Sequence, residues 1–300
     1  MDFLSVTDLG TAGLAEVLAT AAAVKAEPAR VAGRLAGRKV GLFFEKPSTR
    51  TRVSCEVAAA DLGAVPLVLK QDEVGLGKRE SVADVARTLD RYLDVLAFRV
   101  FRHGDLVTVA EYAAAPVINL LSDLEHPCQA LADLQTLAEA RPLAGATVAF
   151  LGDGNNVCHS LLLAGAMCGV SLRVASPEGY EPAPAVVARA RALAAADATV
   201  EIGHDPEGAV RGVDAVYTDV WASMGQEAEA AERRRRFEPF RVDERLFALA
   251  GPRAIFLHCL PAHRGDEVTD GVADHDRSRI FDQAENRMHA FKALLLHVAG

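Results

Sequence analysis

Three features of the sequence predict an α/β fold of two doubly wound parallel sheets. Apolar runs of four to six residues alternate with longer stretches of helical periodicity, as in a parallel sheet covered on both faces. Several runs lead straight into clusters of polar residues, the place where open α/β sheets bind ligands. The length of 300 residues suggests two domains, at about 150 residues each.

The predicted strands span 39–44, 65–69, 95–98, 117–119, 147–151, 172–175, 215–218 and 254–257. Between the fourth and fifth, Arg141, Pro142, Leu143, Ala144 and Gly145 make a turn that serves as a domain boundary. The domains expected are therefore residues 1–140 and a second beginning at 141. The charge run 227–236, which ends in Arg233, Arg234, Arg235 and Arg236, reads as a solvated helical face.

Composition excludes several classes of function. Half of the residues are hydrophobic and 24% are charged, so collagen-like and disordered chains are out. A formal charge of -9 argues against a general nucleic-acid or anionic-membrane surface, which leaves any anion site to a local concentration of Arg and Lys. The longest apolar run, 161–172, is shorter than the ~18 residues of a membrane span, and Asp2 and Asp8 stand where a secretion signal carries positive charge. Cys55, Cys128, Cys158, Cys168 and Cys259 include no C-x-x-C pair, which fits a reducing cytoplasm better than disulfides or a zinc site. The expectation is a cytoplasmic protein with neither membrane nor nucleic-acid partner.

The polar cluster after the first strand is the richest. Glu45, Lys46, Pro47, Ser48, Thr49, Arg50, Thr51 and Arg52 precede a helix whose Val53 and Val57 share a face and which ends at Gly63. Free backbone N–H groups, the helix dipole, three hydroxyls and two guanidinium groups converge there, as an anion requires. Arg50 and Arg52 leave a helix about 200° apart, so one faces the ligand and the other makes a structural ion pair.

The string F-x-K-x-S-T-R-T-R resembles the carbamoyl-phosphate signature of the aspartate and ornithine carbamoyltransferase family. Five further elements follow in the family's order, so the resemblance runs from about Phe3 to Leu296. His126, Pro127, Cys128 and Gln129 form the second. Arg99 ends the third strand. Gly152, Asp153, Gly154, Asn155 and Asn156 resemble the ornithine branch's G-D-x-N-N loop. This loop is no dinucleotide fingerprint, because Val157 replaces the third glycine and Ser176 the ribose-binding acid. Asp219, Val220, Trp221, Ala222, Ser223, Met224 and Gly225 resemble the ornithine-binding motif D-x-W-x-S-M-G. His258, Cys259, Leu260 and Pro261 match H-C-L-P, in which the Leu-Pro bond is typically cis, and Glu285, Asn286 and Arg287 match E-N-R.

The resemblance implies transfer of the carbamoyl group from carbamoyl phosphate to the δ-amine of L-ornithine. Citrulline and phosphate result, in arginine biosynthesis and without metal or organic cofactor. It implies carbamoyl phosphate on Ser48, Thr49, Arg50, Thr51, Arg99, His126, Gln129, Cys259, Leu260 and Arg287. Ornithine falls to Asn156, Asp219, Ser223 and Met224, and catalysis to Arg99, His126 and Cys259. The C-terminal helix would return to the first domain, making the domains 1–140 with 285–300 and 141–284, and the chain would form a homotrimer. Rival readings are a carbamoyltransferase for another amine or amino acid and a non-catalytic amino-acid-binding relative. One position departs from the family. In the loop Gly75, Leu76, Gly77, Lys78, Arg79, Glu80 and Ser81, bacterial members often carry a carbamoyl-phosphate-binding glutamine where Gly75 stands. Ser81 and Asp84 would cap the next helix.

Overall fold

The computed structural model describes residues 1–195, 197–222 and 229–300; Ser223 and Met224 of the ornithine motif lie outside the described residues. It divides into two units, Met1–Gln135 with Glu285–Gly300, and Thr136–Ala284. The division falls inside helix Pro127–Ala140, ahead of the turn at 141–145.

In the first unit, β1 (Lys39–Phe44), β2 (Val65–Lys70), β3 (Val95–Arg99) and β4 (Val117–Leu121) form a parallel sheet in the order β2-β1-β3-β4. The inner strands β1 and β3 are buried almost throughout, which is why their runs are continuously apolar rather than alternating. Phe43, Leu96 and Phe98 pack with Val85, Leu106 and Val109 in the core on one side. The edge strand β2 tolerates Pro66 and alternates in burial.

Helix Thr49–Asp61 follows β1, and its orientation corrects the reading of its faces. Thr51, Cys55, Ala58 and Ala59 are buried, whereas Val53 is 51% and Val57 39% exposed. Small side chains let a helix lie close on its sheet, so the valine pair is turned outward. On the adjoining strand, Val65 and Leu67 are exposed as well.

The N-terminal segment Val6–Ala26 has the length and apolarity of a membrane span, with 21 residues and a mean hydropathy of 1.3. Thr and Glu residues interrupt it, so a search for unbroken apolar runs passes it over. Within the unit, Leu14, Val17, Ala21 and Val24 form a buried stripe at helical spacing.

In the second unit, β5 (Thr147–Leu151), β6 (Ser171–Ala175), β7 (Val200–Gly203), β8 (Ala215–Thr218) and β9 (Ile255–Leu257) are parallel in the order β7-β6-β5-β8-β9. Sequence reading missed β7, an edge strand with one buried residue, Val200. Leu151, Val216 and Phe256 pack against Phe240, Leu246 and Phe247. Helix Ile280–Ala299 closes the chain, and from Glu285 onward it belongs to the first unit.

Candidate active site

Each sheet reverses its winding at one point, and there two strands of different chain direction history leave a crevice at their carboxyl ends. In the first unit that point lies between β1 and β3. Glu45 N–H donates to the Arg99 carbonyl at 2.9 Å, and the Glu45 carboxylate accepts from Phe101 N–H at 2.7 Å. The two strand ends are thus tied together, three residues before Ser48.

Ser48 is the N-cap, with extended backbone at φ -156° and ψ 109°, and its hydroxyl accepts from Thr51 N–H. Thr51 is buried, Arg50 half-buried and Arg52 exposed. Arg52 pairs with Glu56 at 3.4 Å, the structural ion pair expected of one of the two arginines. His126 precedes helix Pro127–Ala140 and is buried, as are Arg99, Gln129 and Arg287. Arg287 donates through Nη2 to Thr51 Oγ1 at 3.2 Å and through Nη1 to Gln129 Oε1. Gln129 Nε2 in turn donates to Asp133 Oδ1 at 2.7 Å. A donor-only guanidinium and an acceptor-only carboxylate leave that amide a single orientation.

Burial, joined by the charges of Arg287 and Arg99, drives the His126 pKa well below the ordinary imidazole value. His126 is therefore neutral at pH 7, an uncharged hydrogen-bonding group. Burial pushes the Cys55 thiol up to about 12, and the Cys128 thiol is also raised. Neither provides a thiolate.

In the second unit the reversal lies between β5 and β8. Asn155 caps helix Asn156–Met167, its Oδ1 accepting from Val157 and Cys158 N–H at 3.0 and 3.1 Å. Its Nδ2 donates to Asp219 Oδ2 at 2.8 Å, across the reversal point. The other carboxylate oxygen, Oδ1, accepts from Cys259 Sγ at 3.0 Å. Three segments distant in sequence therefore meet on one buried carboxylate. Gly154 is required by close approach: a Cβ there would lie 2.1 Å from Pro182 N.

The Leu260-Pro261 bond is cis, and Leu260 has φ +60°, which costs a side-chain-bearing residue ~1–2 kcal/mol. Leu260 N–H donates to His258 Nδ1 at 2.8 Å, and the fully buried His258 and Glu267 pair at 3.2 Å. Asp219, His258 and Cys259 offer ligand atoms within 4.8 Å of one another, a spacing that could hold a metal ion. The His258 lone pair is already used by Leu260 N–H, however, and Cys259 and Asp219 are bonded to each other, so the cluster reads as a hydrogen-bond network.

Structure corrects the reading of the arginine run. Arg234, Arg235 and Arg236 are exposed and pair with Asp266 and Glu232, but Arg233 is buried. At Gly75, φ is +71°, and a Cβ would lie 2.6 Å from that of Arg79, so the turn itself demands glycine. Ser81 caps the following helix by accepting from Asp84 N–H at 3.1 Å. Of the residues singled out from sequence, Ser48, Thr51, Arg99, His126, Gln129 and Arg287 gather in the first unit, and Asn156, Asp219, Cys259 and Leu260 in the second. Asn155 and His258 were named as members of their motifs but given no role, and Asp133 and Glu267 were missed. Asn155 carried a further signal, as an asparagine opening a helix.

Comparison with known proteins agrees with this architecture. The carbamoyl-P binding domain model of aspartate/ornithine carbamoyltransferases matches residues 1–139, and the Asp/Orn binding domain model matches residues 144–298. An ornithine carbamoyltransferase of Parasynechococcus marenigrum is 52% identical over all of this chain and 94% of its own length. The structure of ornithine carbamoyltransferase from Pyrococcus furiosus superposes with a TM-score of 0.97 at 48% identity, covering 100% of this chain and 97% of that one. A more distant neighbour, an acetylornithine transcarbamylase complexed with acetylcitrulline, has a TM-score of 0.89 at 30% identity, covering 100% and 99%. The chain is a carbamoyltransferase and belongs to the aspartate/ornithine carbamoyltransferase family.

Proposed function

We propose that the chain transfers the carbamoyl group of carbamoyl phosphate to the δ-amine of L-ornithine, giving L-citrulline and phosphate, in the cytoplasm and for arginine biosynthesis. The observation that carries this reading is the meeting of Asn155, Asp219 and Cys259 on a single buried carboxylate, which joins the G-D-x-N-N, D-x-W-x-S-M-G and H-C-L-P motifs. The relatives that bear the ornithine name support it.

In this reading the first unit takes carbamoyl phosphate. The phosphate lies on Ser48, Thr49, Arg50 and Thr51 at the helix N-terminus, with Arg287 and Gln129. Arg99, neutral His126 and Thr51 hydrogen-bond the carbonyl oxygen and stabilise the charge that develops on it. In the second unit Asp219 pairs with the α-ammonium of ornithine, Asn156, Ser223 and Met224 serve its amino-acid head, and Cys259 and Leu260 serve the reacting groups. The neutral δ-amine attacks the carbonyl carbon, the carbon–oxygen bond to phosphate breaks, phosphate departs and the amine loses a proton. Family resemblance implies a homotrimer, and the exposed Val53, Val57, Val65 and Leu67 support a contact surface between subunits.

Citrulline formation is the test, with ornithine, N-acetylornithine, aspartate and putrescine compared as acceptors. A site that pairs an α-amino-acid head rejects a diamine that leaves those groups unpaired. Comparable kcat/KM for putrescine and ornithine would overturn the assignment.

A further inference from the structure

Arg233 stands in a run of four arginines that sequence alone assigns to solvent, and it is the one member the fold removes from water, with a side chain 7% exposed. It projects from helix Ala230–Phe237. Its Nη1 donates to Asp153 Oδ2 at 3.1 Å and to the Trp221 carbonyl at 2.9 Å, while Nε donates to Glu229 at 3.0 Å. The guanidinium also lies 4.8 Å from the Tyr180 ring centroid. A single nitrogen therefore joins two segments that diverge from the β5/β8 reversal point. Asp153 is two residues before Asn155, and Trp221 is two residues after Asp219.

Burying an ion pair is a poor way to gain stability, because desolvation offsets most of the attraction. Burial in fact pushes the Asp153 carboxyl up to about 6 even with Arg233 beside it. What the pair provides is registry. The Asn155–Asp219 contact of 2.8 Å exists only if the two strand ends keep their spacing, and Arg233 bonds to the chain on both sides of it.

We infer that Arg233 is a positioning residue for the amino-acid acceptor: by bridging Asp153 and the Trp221 carbonyl, it holds Asn155 and Asp219 at the separation that binds the substrate's α-amino-acid head. This rests on the ornithine reading above. Asp153 is its partner in this role, and Arg234, Arg235 and Arg236 take no part.

The test measures citrulline formation and direct carbamoyl-phosphate binding in the parent and in R233M, R233K, D153N and R235M, with the full chain throughout. Arg233→Met should raise the KM for ornithine ~10-fold while kcat changes little, the signature of lost substrate positioning. The carbamoyl-phosphate Kd serves as the internal control and should stay within about twofold. Because both strand-end contacts come from one nitrogen, R233K should recover most of the lost affinity. D153N should reproduce the R233M effect, and R233M/D153N should be no worse than the weaker single variant, since coupled partners are non-additive. R235M should behave as the parent.

An unchanged ornithine KM in R233M or in D153N would overturn the inference. So would ornithine and carbamoyl-phosphate affinities falling together, which marks general destabilisation. If R233M does not fold, R233K and D153N still decide, because a purely structural pair would leave the KM of folded D153N unchanged. Failure of the parent to form citrulline would instead overturn the proposed function.

Discussion

Replacing Arg287 with methionine separates binding from stability more sharply than any other change in the first unit. Arg287 is buried, and its hydrogen-bond partners among the described residues are neutral: the Thr51 hydroxyl and the Gln129 amide oxygen. A buried guanidinium hydrogen-bonded only to neutral groups among the described residues is costly to desolvate, and a methionine of similar length removes that cost while keeping much of the packing. The ligand-free variant should therefore unfold at the same temperature as the parent or higher. Under the proposed reading carbamoyl phosphate brings a counter-charge. Hydrogen bonds to charged groups contribute ~1.5–3 kcal/mol, so losing the guanidinium should weaken binding by about 3 kcal/mol, or ~100-fold in Kd. Calorimetric titration and thermal unfolding, each with and without carbamoyl phosphate, provide both measurements. An Arg287→Met variant that binds carbamoyl phosphate within about threefold of the parent would refute the argument, since the mechanism demands a loss of ~100-fold.

Three further outcomes are expected. Arg50→Ala should lose carbamoyl-phosphate affinity, whereas Arg52→Ala should leave it intact and cost at most ~0.5 kcal/mol, the scale of an exposed helical ion pair such as Arg52–Glu56; titration of both variants that showed the reverse would mean the faces are misassigned. His126 has a lowered pKa in the fold, so below about pH 6.5 the unfolded chain binds a proton the folded chain refuses. Stability should thus fall as pH drops through that range, at up to ~1.4 kcal/mol per pH unit for this one group, and denaturant unfolding of His126→Gln should show a shallower slope. Cys259→Ala removes the thiol that donates to Asp219 Oδ1, and should lower kcat/KM for ornithine without abolishing carbamoyl-phosphate binding; unchanged kinetics from neutral to alkaline pH would reduce Cys259 to packing.

Most strands, and the polar clusters at their carboxyl ends, were legible because buried parallel strands leave continuous apolar runs that stop abruptly. Beyond that range the sequence is mute in specific ways. Nothing local marks Arg287, which acquires its partners from residues 158 and 236 positions away; only the family resemblance pointed to it. Val53 and Val57 suggested a buried face by their spacing, but the sheet accepts the small Thr51, Cys55 and Ala58 instead. Periodicity reports that a face exists and not which one is covered. Arg233 was hidden in the same manner, since its charge resembles that of its exposed neighbours until Asp153, 80 residues earlier in the chain, is placed beside it.

Among the described residues, each unit holds a buried charge whose hydrogen-bond partners are neutral. In the first, Arg287 meets only neutral hydrogen-bond partners among the described residues, and His126 is held neutral. In the second, Asp219 is buried, and among the described residues its two oxygens accept from an amide and a thiol, neither of which carries a charge. Arg233 lies close by but is engaged with Asp153. Under the proposed reading, phosphate supplies the missing anion in one unit and the α-ammonium the missing cation in the other. Buried charges destabilise the empty protein, and the same imbalance sharpens selection, because a ligand without the matching charge leaves the desolvation cost standing. A neutral His126 follows from this arrangement as well. Were it protonated, it would compete for the phosphate with Arg50 and Arg287; uncharged, it can address a carbonyl oxygen whose negative charge appears only as the amine attacks.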